Sequence, residues 1–247
     1  MERVIRTPNP HLRPGRPGRL GRVVLAALAV SLSLLPPAAA GAAENGVPRD
    51  EELHYDWRLG GFLGTVAGFF LPSSGEGVMS VEPAGDGMLS TELLITSPES
   101  EAGEHWRYGS KISRDSGYAL EAWNSYRWRD KDEQERVRID DPEALDIVSG
   151  IYRIRRELPP AARTMRIWSD GKIYPVVVVP HGVERRKIGG ERVSTLHYSV
   201  RGYRAGGSRH WKGRLDLWLA RDAAATPLEM HISRSGANLK LELQDRP

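Results

Sequence analysis

The chain has 247 residues, 27% charged and 40% hydrophobic, a composition that fits a globular protein and excludes a disordered or fibrous one. It has no cysteine, so disulfides and thiolate metal sites are excluded. The net charge of +3 is unevenly spread: Met1 to Arg22 holds six arginines against Glu2, and the rest of the chain has 29 basic residues against 31 acidic, which removes the case for nucleic acid as a partner.

The first predicted element is a secretory signal peptide over residues 1–43. The arginine-rich start runs into the uncharged stretch VVLAALAVSLSLL (Val23 to Leu35), which Pro36-Pro37 ends and small residues follow. A bilayer span takes about 20 apolar residues, and this run is shorter. The expectation is a mature N-terminus between Gly41 and Glu44 and release into the periplasm, with no stable membrane span afterwards.

Residues 44–247 read as a single antiparallel β domain. LHYDWRLGGFLGTVAGFFL is a strand with a bend marked by Gly60-Gly61 and Gly64. In YALEAWNSYRW, Tyr118, Leu120, Ala122, Tyr126 and Trp128 share one face, interrupted by Asn124. The charged run RDKDEQER then reads as a solvated hairpin tip. One segment breaks the alternation. DDPEALDIVSGIYRIRREL offers Asp141 as N-cap, Pro142 at the first helical position and an apolar stripe of Leu145, Val148, Ile151 and Tyr152, with Pro159-Pro160 as a stop. This predicts one amphipathic helix near 142–157, about four turns long.

Downstream, SDGK (Ser169 to Lys172) marks a tight turn between RTMRIW and KIYPVVVV. Pro175 and Pro180 point to an edge or bulged strand there. VSTLHYSVRGY is a further strand, followed by a turn in RAGGS. Alternation in Trp211 to Leu219, in Leu228 to Ile232 and in Leu239 to Leu243 gives a three-strand meander. The predicted class is mainly β (α+β): a long curved antiparallel sheet or half-barrel of roughly ten strands, with one helix packed on it.

LDIVSGIYRIR with Asp146, Ser149, Tyr152 and Arg155, then SDGKIY, then LWLARDAAATPLEM, resembles the bacterial exported family catalogued as domain of unknown function 3108. The likeness runs from the Tyr55–Trp57 strand to the last Leu-rich strand. It implies a periplasmic protein with a long curved sheet, and distant kinship with half-barrel lipoprotein carriers that hold acyl chains between sheet and helix. It brings no catalytic residues, and RDKDEQER departs from its pattern.

No G-x-S-x-G, Walker A, G-x-G-x-x-G or H-E-x-x-H motif is present, and no cofactor or metal is expected. His54, His105, His181, His197, His210 and His231 are scattered, without metal-ligand spacing. Asp130, Asp132, Glu133 and Glu135 fail as a calcium loop because Glu135 stands where glycine is required. Asp222, between two strands and ahead of Pro227, reads as a capping residue of a corner. On the helix, Asp146, Ser149, Tyr152 and Arg155 recur every three residues. Either Tyr152 and Arg155 meet an anionic head group, or Tyr152 packs on the sheet and Arg155 pairs with Asp146 or a strand carboxylate.

The leading expectation is a non-enzymatic envelope protein that holds a lipid or other apolar ligand between sheet and helix, with Val148, Ile151, Tyr152 and Arg155 as the ligand-facing residues. The alternatives are a polysaccharide-associated or scaffold protein using an aromatic sheet face, and a hydrolase with Asp222 in its site.

Overall fold

The computed structural model describes residues 50–60, 73–98, 104–129, 131–203, 211–234 and 237–244. The predicted signal segment, the bend at Gly61 and Gly64, the RAGGS turn, Asp130 and His210 lie outside the described residues.

The strands in chain order are β1 (Glu51–Gly60), β2 (Ser74–Pro83), β3 (Met88–Thr96), β4 (His105–Ser113), β5 (Ala119–Trp128), β6 (Lys131–Arg138) and β7 (Ala144–Leu145). The helix α1 (Ile147–Glu157) follows, then β8 (Arg163–Ser169), β9 (Lys172–Ile188), β10 (Glu191–Gly202), β11 (Arg214–Ala220), β12 (Pro227–Arg234) and β13 (Ala237–Leu243). All thirteen strands form one open, curved sheet in the order β6-β5-β4-β3-β2-β1-β13-β12-β11-β10-β9-β8-β7. Every pairing is antiparallel except β7 on β8.

This order forces the curvature. The chain walks outward from β1 to the edge strand β6, then re-enters at the opposite edge, β7, and walks back until β13 meets β1. In a flat thirteen-strand sheet the outermost strands would stand about 58 Å apart, at about 4.8 Å per strand. The six residue steps from Arg138 to Ala144 reach at most about 20 Å. The sheet therefore curls until its two ends approach each other. The approach is visible at the β8–β9 turn, where a Cβ placed on Gly171 would lie 2.7 Å from the Glu135 carboxylate of β6. That turn has Asp170 at φ 47° and Gly171 at φ 71°, the left-handed pair of a two-residue hairpin, as SDGK predicts.

The helix starts later than predicted. Pro142 and Glu143 form a turn, and Ala144 and Leu145 pair with Arg166 and Ile167 as β7. The cap is Asp146, whose side chain accepts from Ser149 N–H while the Ser149 hydroxyl accepts from Asp146 N–H. This reciprocal capping box satisfies two backbone donors, and Asp141 has no such partner three residues on. Asp141 instead accepts from Glu143 N–H and pairs with Arg166 at 2.5 Å. At the other end Leu158, at φ 39°, closes the helix onto Ile154 O just before Pro159-Pro160.

Of RDKDEQER, expected to be a hairpin tip, Lys131 to Arg136 lie in β6, the charged edge of the sheet, whose hairpin with β5 closes at the Trp128–Lys131 pair. Its pairs with β5 include Arg127–Asp132 and Arg136–Glu121 ion pairs and an Asn124–Glu135 hydrogen bond. Charges on an edge strand discourage further strand addition. β9 pairs with β8 over residues 172–178 and with β10 from Val176 on, so residues 179–188, with Pro180, pair with β10 alone. It carries the expected bulge, because Tyr198 faces Pro180 while His197 faces Gly182, which leaves His181 unpaired.

The core lies on the concave face under α1. Tyr55, Trp57, Met79, Leu93, Ile112, Leu217 and Leu241 point inward and are fully or almost fully buried. Val148, Ile151, Tyr152 and Ile154 seal them from above.

Candidate functional site

Three features gather on the concave side around α1. The first is an anchor that ties helix, first strand and corner together. Arg155, buried on the helix, makes a two-pronged ion pair with Glu51 of β1 at 2.5 and 2.8 Å. The same guanidinium donates to Ala225 O and Ala224 O, each at 3.2 Å, in the β11–β12 corner. Burial works against its charge, but the Glu51 carboxylate more than offsets this and holds the pKa of Arg155 above its ordinary value. Tyr55 donates to Pro227 O at 3.0 Å in that corner, and burial pushes its phenol well up. The guanidinium also stacks over Tyr152, 4.9 Å from the ring centre.

The corner itself is a capped turn. Asp222, solvent-exposed, accepts from Ala225 N–H at 2.8 Å, and Ala225 sits at φ 46°. Its carboxylate is occupied by the turn, as expected of a capping residue.

The second feature is a buried polar chain at the helix start. Thr91 on β3 meets Ser110 on β4 at 3.0 Å, and Ser110 donates to Asp146 Oδ1 at 2.9 Å. Asp146 also accepts from the Ser149 hydroxyl and from its backbone N–H. Burial pushes the Asp146 carboxyl up from its ordinary value, against the opposing pull of the Ser149 and Ser110 hydrogen bonds. This chain fixes the start of α1 over β3 and β4.

The third feature is an apolar cavity of about 130 Å³ beside that start. Leu93 and Ile95 of β3, Trp106 and Tyr108 of β4, and Ile232 and Leu239 of β12 and β13 form much of its wall. Trp123 and Asn124 of β5, Asp146, Ile147 and Trp168 to Asp170 complete it, so both halves of the sheet contribute. The volume is close to the roughly 150 Å³ that accepts a benzene-sized guest, and the recess is partly open to solvent, with the exposed Tyr108 in its wall.

The sequence-predicted ligand residues are elsewhere. Val148, Ile151 and Tyr152 are together under α1 but fully packed in the core, and Arg155 is committed to Glu51 and the corner. None of the four lines the cavity. Of the two readings of Arg155, pairing with a strand carboxylate is the arrangement found. The residues that do line the cavity sit on seven different elements, and only the sheet order brings them together.

On the opposite face, register assembles residues that look scattered in the sequence. His181, His197, Trp218 and His231 lie side by side, with ring centres 4.4, 4.6 and 4.7 Å apart. Arg186 covers Trp218 at 3.8 Å and pairs with Glu229, which also meets His231 and Lys240. Burial alone would raise the pKa of Glu229, but His231, Arg186 and Lys240 hold it down at about 2. Burial lowers that of His197, against the pull of Asp216 and Glu184. No group of three His, Asp or Glu among the described residues could hold a metal ion. Trp57, Trp168, Trp211 and Trp218 are buried, and Tyr108 is exposed.

No protein-family model matches the chain, so the resemblance to domain of unknown function 3108 has none behind it, and no curated protein matches. Three solved structures are similar in outline. One is a beta-barrel-like protein of domain of unknown function DUF1849 from Brucella abortus, with 8% identity and a TM-score of 0.43 over 80% of this chain and 96% of that one. The second is the Mycobacterium tuberculosis lipoprotein LppX, with 13% identity and a TM-score of 0.29 over 78% and 84%. The third is the hypothetical lipoprotein YmcC from Escherichia coli, with 10% identity and a TM-score of 0.36 over 81% and 89%. Likenesses this faint assign neither family nor function. No helix among the described residues is long and apolar enough to cross a membrane.

Proposed function

We propose that this is a non-enzymatic protein of the bacterial cell envelope, exported by cleavage of residues 1–43 to the periplasm, that holds an apolar ligand inside its curled sheet. The observation that carries the reading is the apolar cavity beside the start of α1, walled by both halves of the sheet. A close-packed interior leaves few voids larger than a water molecule. A cavity faced with Leu, Ile and Trp side chains gains by admitting an apolar group. Its size suits the end of an acyl chain or a single ring, with the rest of the ligand extending outward.

The test is organic extraction of the purified mature protein followed by mass spectrometry. The proposal expects an apolar molecule in near-stoichiometric amount, displaced by a fluorescent fatty acid. An extract free of apolar molecules, from a protein that also fails to bind the fluorescent fatty acid, sinks it.

A further inference from the structure

A second recess lies at the other side of α1, and its chemistry is opposite. It is a groove of about 530 Å³ lined by Arg153 of α1, Arg163 and Arg166 of β8, and the rings of Tyr118 and Tyr203. Arg156 is outside the lining, with its guanidinium 3.5 Å from where a Cβ on Gly117 would stand. The balance of charge there is uneven. Glu157 is the shared partner of three guanidiniums, pairing with Arg153 and Arg163 and lying 3.5 Å from Arg156. Arg166 is paired with Asp141, and the exposed Glu143 sits on the rim. One carboxylate cannot neutralise three guanidiniums, and two of them, Arg153 and Arg156, have side chains only 16% and 15% exposed. Burial and the neighbouring Arg153 charge both pull the Arg156 pKa down, as expected of a cation lacking full compensation.

Like charges gathered in a recess cost free energy unless an anion joins them. Planar guanidiniums present paired donors that match the oxygens of a phosphoryl group. Four arginines stand here against three carboxylates, Glu157, Asp141 and Glu143, which leaves one positive charge for an added anion. The groove is larger than a phosphate alone needs, and Tyr118, Tyr203, Met165 and Ile173 give it apolar walls. We propose that this groove binds the phosphoryl group of an organic phosphate monoester, held by Arg153, Arg163 and Arg166. The inference is independent of the apolar cavity. The phosphoryl group could belong to a lipid head or to a soluble ester.

Calorimetric titration of the purified protein with inorganic phosphate and with dodecyl phosphate tests this. Both should bind, and Arg163→Gln and Arg166→Gln should each weaken both by about tenfold or more, the scale of one charge-assisted hydrogen bond. Arg138→Gln, at an exposed arginine on β6, should leave both unchanged. Tighter binding of dodecyl phosphate than of inorganic phosphate points to a lipid source, and equal binding to a soluble one. The Ile147→Trp variant, which fills the apolar cavity, should bind inorganic phosphate as the wild type does, which separates the two sites. Arg166 is more than half exposed, so its variant folds even if Arg163→Gln does not. Absence of phosphate binding at low salt, or wild-type affinity in a folded Arg166→Gln protein, overturns the proposal.

Discussion

Replacing Arg155 with methionine isolates the anchor that holds helix, β1 and corner together. Methionine keeps most of the side-chain volume over Tyr152, so the change removes charge and hydrogen bonds rather than packing. Four contacts go: two to Glu51 at 2.5 and 2.8 Å, and two to Ala224 O and Ala225 O at 3.2 Å. The Glu51 side chain is only 17% exposed and would be left without its counter-ion. Removing one partner of a buried pair costs about 3–5 kcal/mol. Ala224 is exposed, whereas Ala225 is fully buried, so loss of the donor to the Ala225 carbonyl pushes the cost towards the upper end of that range. Arg155→Met should therefore lower the unfolding free energy by about 3–5 kcal/mol. Urea unfolding at neutral pH, followed by tryptophan fluorescence, would show this as a lower midpoint with an unchanged slope. Adding Glu51→Leu should recover at least about 2 kcal/mol, because an apolar pair replaces an orphaned charge. A loss below about 1 kcal/mol, or a double variant no better than the single one, would refute the argument.

Other consequences follow from the same contacts. Asp222→Ala should cost about 1 kcal/mol, the scale of a lost cap, and leave ligand binding intact; a folded variant without binding would reassign Asp222. Ile151→Trp should cost about 1–3 kcal/mol through overpacking, because Ile151 is fully buried, and an unchanged melting temperature would mean that space lies beneath it. Glu229 has its pKa depressed from 4.5 to about 2, so its contribution to stability is complete above pH 4.5 and is lost as the pH falls towards 2. Acid titration of stability should thus be shallower in Glu229→Gln, and an identical profile would contradict the pairing with Arg186, His231 and Lys240.

The fold was legible wherever one face of a strand is uniformly apolar. Leu215, Leu217 and Leu219, then Leu239, Leu241 and Leu243, alternate with outer neighbours that are mostly polar, Trp218 and Ala220 excepted. β2 to β4 are less legible, since Gly75, Gly77, Thr91 and Ser110 occupy inward positions and blunt the alternation. β6 is apolar at Val137 alone, because a charged edge is chosen for its pairing rather than its burial. Thirteen strands therefore read as about ten. The helix was legible as an element, but its start was not. Asp141-Pro142 and Asp146-x-x-Ser149 both carry capping signals, and the tertiary contact from Ser110 to Asp146 decides between them. The site was the least legible part. Periodicity showed which helix residues face the sheet, and Val148, Ile151 and Tyr152 do face it, but it could not show where the packing stops. The cavity depends on Ile232 and Leu239 lying across from Trp106 and Tyr108, which is a property of the curl. The arginine groove depends likewise on β8 lying beside the end of α1.

The central claim is that the curled sheet encloses an apolar site beside the start of α1. Titration of the mature protein with a fluorescent fatty acid, alongside the Ile147→Trp variant, tests it most directly. Ile147 lines the cavity and lies at the first turn of the helix, so the larger ring fills the space while the buried stripe of Val148, Ile151 and Tyr152 stays in place. The account predicts saturable one-to-one binding to the wild type, and its loss in a variant that melts as the wild type does. Equal binding to both proteins, or to neither, would contradict it.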